Sequence, residues 1–170
     1  HFDVSWSPDG SNPIMVSQFF TIEVDDFFRR DNLNLNVIVE DFKKIEVSSH
    51  HLEFGNHTML VMLKAYDKQP SVELLDAAQQ LCAWQQEYPE FVPMDLTTIN
   101  RMQIALRKRE LTFQEKSELH AIISNTSDNF LEICAFLLLD EQEEAQKLFG
   151  SLSEKQLREF KNSPIYRFCK

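Results

Sequence analysis

The sequence predicts an α+β fold in which a small antiparallel β-sheet is followed by a bundle of short helices, and three observations predict it. Apolar residues alternate with polar ones before Pro70, they recur at helical spacing after it, and helix-capping signatures punctuate the second part. Residues 1–68 therefore read as an antiparallel β-sheet region. Residues 69–170 read as a helical bundle of about six helices arranged as antiparallel hairpins. The two regions are compatible with one continuous domain, since 170 residues can bury one core.

The strand reading rests on period-two patterns. In the stretch 16–24, Phe20, Ile22 and Val24 alternate with Thr21 and Glu23, and in 33–39 Asn34 and Asn36 occupy the wet side of Leu33, Leu35 and Val37. Ile45 and Val47 continue the pattern. The run 58–63 (TMLVML) supplies a more apolar strand, and Gly55-Asn56 gives the turn before it.

The helix reading rests on caps and faces. Ser71 caps a helix that turns Leu74, Leu75, Ala78, Leu81 and Cys82 inward and stops at Tyr88-Pro89. Asp95 caps a second, with Ile99, Met102 and Leu106 inward and Arg107, Lys108 and Arg109 in the last turn, where cations suit the helix dipole. Thr112 to Glu115 is a capping box opening a third. A fourth, 130–139, is apolar nearly all round and belongs in the centre. Asp140 starts a short helix closed by Gly150 in the position past its end, and Ser153 to Gln156 is a second capping box. The stretch 130–160 resembles, over about one repeat, a tetratricopeptide-type helical hairpin with small Ala145 at the close approach. It lacks that family's Trp, Gly and Tyr pattern, so it reads as hairpin packing and not as membership.

Composition narrows the function classes. A net charge of −10 disfavours nucleic acid and anionic membranes as direct partners and favours a basic protein. Three glycines are too few for the phosphate-cradling loops of nucleotide-binding folds. The cysteines, Cys82, Cys134 and Cys169, are odd in number and widely spaced, so neither a disulfide framework nor a zinc knuckle is expected and a reducing, cytoplasmic setting is. Two glycosylation triplets, at Asn56 and Asn125, read as chance matches, and the longest apolar run, 133–139, is too short to span a membrane. The start at His1 points to a processed, excised or incompletely ordered N-terminus, with an upstream portion outside the chain.

The one concentration of chemistry is SSHHLEFGNH, residues 48–57, with His50, His51 and His57 around Glu53. Read as a hairpin, it allows only one of the adjacent His50 and His51 to share a face with His57, and no further ligand completes a zinc set. Asp41 and Lys43 match half of a restriction-type nuclease pattern, but the second carboxylate and the basic surface are missing. His120 reads as a surface or boundary residue, and Arg101 with residues 107–109 as the only basic cluster.

The functional expectation is a non-enzymatic acidic protein-protein interaction module of bacterial type with no cofactor and no metal, working as an inhibitor of immunity or antitoxin type over a basic site. A regulatory or assembly domain of a longer protein is a second reading. A metal-dependent hydrolase or nuclease using His50 and His57, or Asp41 and Lys43, is a third. The expected contact residues are Asp140, Glu141, Glu143 and Glu144 of the acidic C-terminal third, the aromatics Phe27 and Phe28, and His51 and His57.

Overall fold

A computed structural model describes residues 35–44 and 47–170, apart from the side chains of Val37 and His50. The order of elements is α1 (Leu35–Lys44), α2 (Ser49–Lys68), α3 (Val72–Gln86), α4 (Met94–Lys108), α5 (Phe113–Asn125), α6 (Asn129–Leu138), α7 (Gln142–Phe149), α8 (Glu154–Asn162) and a 3-10 helix (Pro164–Phe168). Among the described residues there is no β-strand, so the α+β class is corrected to all-helical.

The correction has a physical cause at each element. Residues 35–39, expected as a strand, lie in α1, where Ile38, Val39 and Phe42 are buried at helical spacing. Val47 lies outside any regular element, while the strand expected at 16–24, its neighbours Phe27 and Phe28, and Ile45 lie outside the described residues. The anticipated hairpin and the strand 58–63 are together the single helix α2. Ser48 caps it, its hydroxyl oxygen accepting from the His51 N–H at 3.4 Å. Leu52, Gly55, Thr58, Met59, Met62 and Ala65 then fall on one buried stripe. Val61 and Leu63 are buried too, which made 58–63 look like a strand, because a short run that is apolar on every side has no period to read.

Gly55 is a packing residue here and not a turn residue. A Cβ at this position would lie 2.6 Å from Trp84 Cζ3, so α2 approaches α3 at a distance only glycine allows. Three residues join α2 to α3, so the pair is an antiparallel hairpin. Gln85, fully buried near the end of α3, donates from Nε2 to the Leu52 carbonyl near the start of α2 at 3.0 Å. The Phe42 ring of α1 packs on Trp84 at 5.7 Å between centroids, and Trp84 meets Tyr88 edge-on at 6.1 Å. These helices belong to a compact unit that closes at Val92.

The second unit is Pro93–Lys170. α6 lies at its centre, as its all-round apolar sequence predicts, with Ile133, Cys134, Ala135, Leu137 and Leu138 buried. α4, α5 and α7 surround α6 and contribute Ile99, Met102, Leu119, Ile122 and Ala145 to one core. Both expected capping boxes form, at Thr112 with Glu115 and at Ser153 with Gln156. Three boundary details differ, the first being that α7 begins at Gln142 with Glu141, not Asp140, at its cap position. α4 begins after Pro93, with Asp95 in its first turn, and Gly150 keeps a right-handed φ of −65°. The positive φ at that end of the chain belongs instead to Asp140, at 64°, one of the few residue types that tolerate it. Fully buried Phe160 gathers the rings of Phe130, Phe149 and Tyr166 around it at 6.2, 5.2 and 5.6 Å.

Candidate interaction surface

The histidine stretch forms the opening turns of α2, so its residues are spaced by helix geometry. His51 Nδ1 lies 2.9 Å from the Ser48 hydroxyl as part of the cap. His57 lies on an exposed part of the helix, yet partial burial of its ring, helped by the Lys64 charge, lowers its pKa. Among the described residues no three His, Cys, Asp or Glu side chains come together as a metal-holding group. Asp41 and Lys43 lie two positions apart on α1 and do not face one another. Each has another ion-pair partner one turn away, Lys44 at 3.8 Å from Asp41 and Glu40 at 3.4 Å from Lys43.

The basic cluster of α4 is drawn into the fold. Arg101 pairs with Glu118, and Arg109 makes a two-pronged contact to Glu115 at 2.7 and 2.8 Å. Arg107 is buried, donating to the Gln103 and Pro164 carbonyls at 3.0 Å each and lying 5.2 Å over the Phe168 ring. Cys82 and Cys134 are buried and form no disulfide, and burial pushes the Cys134 pKa up, away from thiolate chemistry.

The four expected contact carboxylates gather where α6 turns into α7. Asp140 accepts from Lys170 Nζ at 2.7 Å and from Gln142 at 3.2 Å, and the Lys170 contact holds its carboxyl below the usual range. Glu144 pairs with Lys147 at 2.6 Å, and Glu141 and Glu143 stand at the start of α7, where the helix dipole favours them. Gln142 ties the chain end to this corner, donating to the Phe168 carbonyl at 2.9 Å and accepting from the Lys170 N–H at 3.0 Å.

Charge is nevertheless distributed otherwise than the acidic C-terminal run suggests. Residues 93–170 hold 12 Asp and Glu against 11 Lys and Arg, whereas residues 1–92 hold 15 against 6. The excess negative charge belongs to the first unit. Within its described part the outer arc of α3 is the clearest feature. Val72, Glu73, Asp76, Gln79, Ala83 and Glu87 are exposed along one face, while Leu74, Leu75, Ala77, Ala78, Leu81 and Trp84 are buried on the other. Sequence inspection for motifs passes this face by, although its signal is present: between residues 69 and 100 there is no Lys or Arg. No helix among the described residues is long and apolar enough to cross a membrane.

The described residues are thus all-helical, and the chain divides into two units, the first strongly acidic by sequence. Compared with models of protein families, with curated proteins and with solved structures, the chain finds no match.

Proposed function

We propose that the chain is a helical protein-interaction module that binds a basic partner through its first unit. The observation that carries this reading is the charge partition, a surplus of 9 negative charges in residues 1–92 beside a surplus of 1 in residues 93–170. Such a field speeds the encounter with a cationic protein and repels nucleic acid and anionic lipid. The inhibitor of immunity or antitoxin type that charge alone suggested gains no support from the helical fold or from the comparisons, and the proposal does not extend to it. The test is titration of the full chain with fluorescent oligolysine over a series of salt concentrations. Binding that weakens steeply with ionic strength supports the reading, and absent or salt-insensitive binding overturns it.

A further inference from the structure

We propose that residues 164–170 are a strap seated in a peptide-binding groove of the second unit, and that a partner segment of like chemistry displaces them from it. The contacts that seat the strap lie within that unit, so the inference goes beyond the charge of the first and does not depend on it. The groove holds the strap by its main chain. Gln142 of α7 donates from Nε2 to the Phe168 carbonyl at 2.9 Å, and its Oε1 accepts from the Lys170 N–H at 3.0 Å. Between them Cys169 is extended, at φ −79° and ψ 122°, so one side-chain amide takes the two groups that a neighbouring parallel strand would take. At the other end Arg107 of α4, itself buried, donates to the Pro164 carbonyl at 3.0 Å. Bonds of this kind suit any peptide backbone and leave selection to the side chains.

The strap shows which side chains the groove selects. Ile165 is 2% exposed, the Phe168 ring lies 5.2 Å from the Arg107 guanidinium above it, and Lys170 Nζ rests 2.7 Å from Asp140. The occupant is accordingly a basic segment with an aliphatic residue, an aromatic three positions on and a lysine two beyond that. The strap itself is only partly covered: Tyr166, Arg167 and Lys170 are exposed, and Phe168 and Cys169 are half-buried. Such a short segment lies at the low end of local stability and opens without the core. Lys170 bonds two of the residues that line a hollow of about 550 Å³, formed by Asp140, Glu141, Gln142, Glu143 and Glu144. A partner segment that continues past the matching lysine with further cations gains contacts with these carboxylates beyond the Lys170–Asp140 pair. That gain offsets the advantage the strap has from being tethered.

The probe is a peptide of the 163–170 sequence carrying Cys169→Ser and extended by two lysines after Lys170, and a control peptide carries Ile165→Ser and Phe168→Ser in addition. Each is added to the full unaltered chain at about 1 mM, the order of a tethered segment's effective concentration. A maleimide labels thiols meanwhile, and mass spectrometry locates the label. Cys82 and Cys134 are buried and report unfolding, whereas half-buried Cys169 reports release of the strap. The expected result is labelling of Cys169 at least fivefold faster with the probe and less than twofold faster with the control, while Cys82 and Cys134 stay unlabelled. Labelling that the probe does not accelerate, or that the control accelerates equally, overturns the proposal. A second measurement uses the full chain carrying Ile165→Ser/Phe168→Ser, whose groove residues are intact, once circular dichroism shows it folded. A fluorescent form of the probe should bind this variant at least tenfold more tightly than the unaltered chain, and adding Gln142→Ala should weaken that binding at least fivefold. Equal affinity for the two chains overturns the strap as the occupant of the groove; if the variant does not fold, the labelling result decides alone. Sedimentation of the unaltered chain tests the other occupant, because a dimer that the probe splits would assign the groove to the strap of a second copy and overturn the separate partner.

Discussion

Gly55 of α2 sits against the Trp84 indole of α3 so closely that a Cβ at position 55 would fall 2.6 Å from Cζ3. Trp84 is 3% exposed and held by Phe42 on one side and Tyr88 on another, so the ring has little room to retreat. Replacing a mid-helix glycine by alanine ordinarily stabilises by about 1 kcal/mol. Here the sign reverses, and Gly55→Ala is expected to destabilise by about 1–3 kcal/mol through overpacking. Urea denaturation measures it. In a Trp84→Leu background the same alanine should cost far less, and an equal cost there would disprove the contact as the cause.

The same glycine explains why α2 was hard to read from sequence and the helices after Pro70 easy. Gly55-Asn56 has the composition of a turn, and only the partner residue Trp84, 29 positions away, reveals it as a close helix contact. Likewise the run 58–63 lost its period because α2 is buried on several sides. Where helices have one wet face and a side-chain cap, as at Ser71, Thr112 and Ser153, local chemistry was sufficient to place them. The candidate surface shows a parallel limit. Motif reading turned to histidines and a run of glutamates, whereas the α3 face is defined by the cations it lacks over a whole helix.

Glu115 predicts a pH dependence. Its carboxylate takes both prongs of Arg109 and the Thr112 N–H at 2.8 Å, and chiefly the Arg109 contact lowers its pKa to about 2 from the ordinary 4.5. A depressed pKa means that the unfolded chain takes up the proton first as pH falls. The stabilising contribution is therefore complete above pH 4.5 and is lost progressively toward about 2. Glu115→Gln keeps a side chain able to reach the cap and removes the charge. Its stability relative to the unaltered chain should be lowest at neutral pH and converge with it on acidification; a constant difference from pH 7 to 3 would contradict the assignment.

Gln85 yields a prediction in the opposite direction from most core substitutions. Its amide is fully buried, its Nε2 reaches the Leu52 carbonyl, and its Oε1 has no hydrogen-bond partner among the described residues. Leu52 O also lies inside α2, where a helical N–H can serve it. Gln85→Met removes the orphaned acceptor while keeping the length, so stability should change by less than about 1 kcal/mol or rise. A thermal melt showing a loss of several degrees would mean that the amide holds α2 and α3 together after all.

Arg107 gives a prediction confined to one end of the second unit. Its guanidinium lies among backbone carbonyls, donating to Gln103 O within α4 and to Pro164 O at the head of the 3-10 helix, with the Phe168 ring beneath it. Pro164 and Ile165 are buried, so this cation reaches the chain end through the core and not across its surface. Gln142 and Lys170 fasten the other side of the same segment. Arg107→Met preserves the apolar stem but leaves the Pro164 carbonyl without its donor, at a cost of about 2 kcal/mol. Because α6 and its neighbours form a core that does not depend on the guanidinium, the loss should appear first as faster amide exchange over residues 163–169. The protection of 131–138 should then follow only the global stability. Faster exchange spread evenly through α4, α5 and α6 would show instead that Arg107 supports the whole unit and not the docking of its last turn.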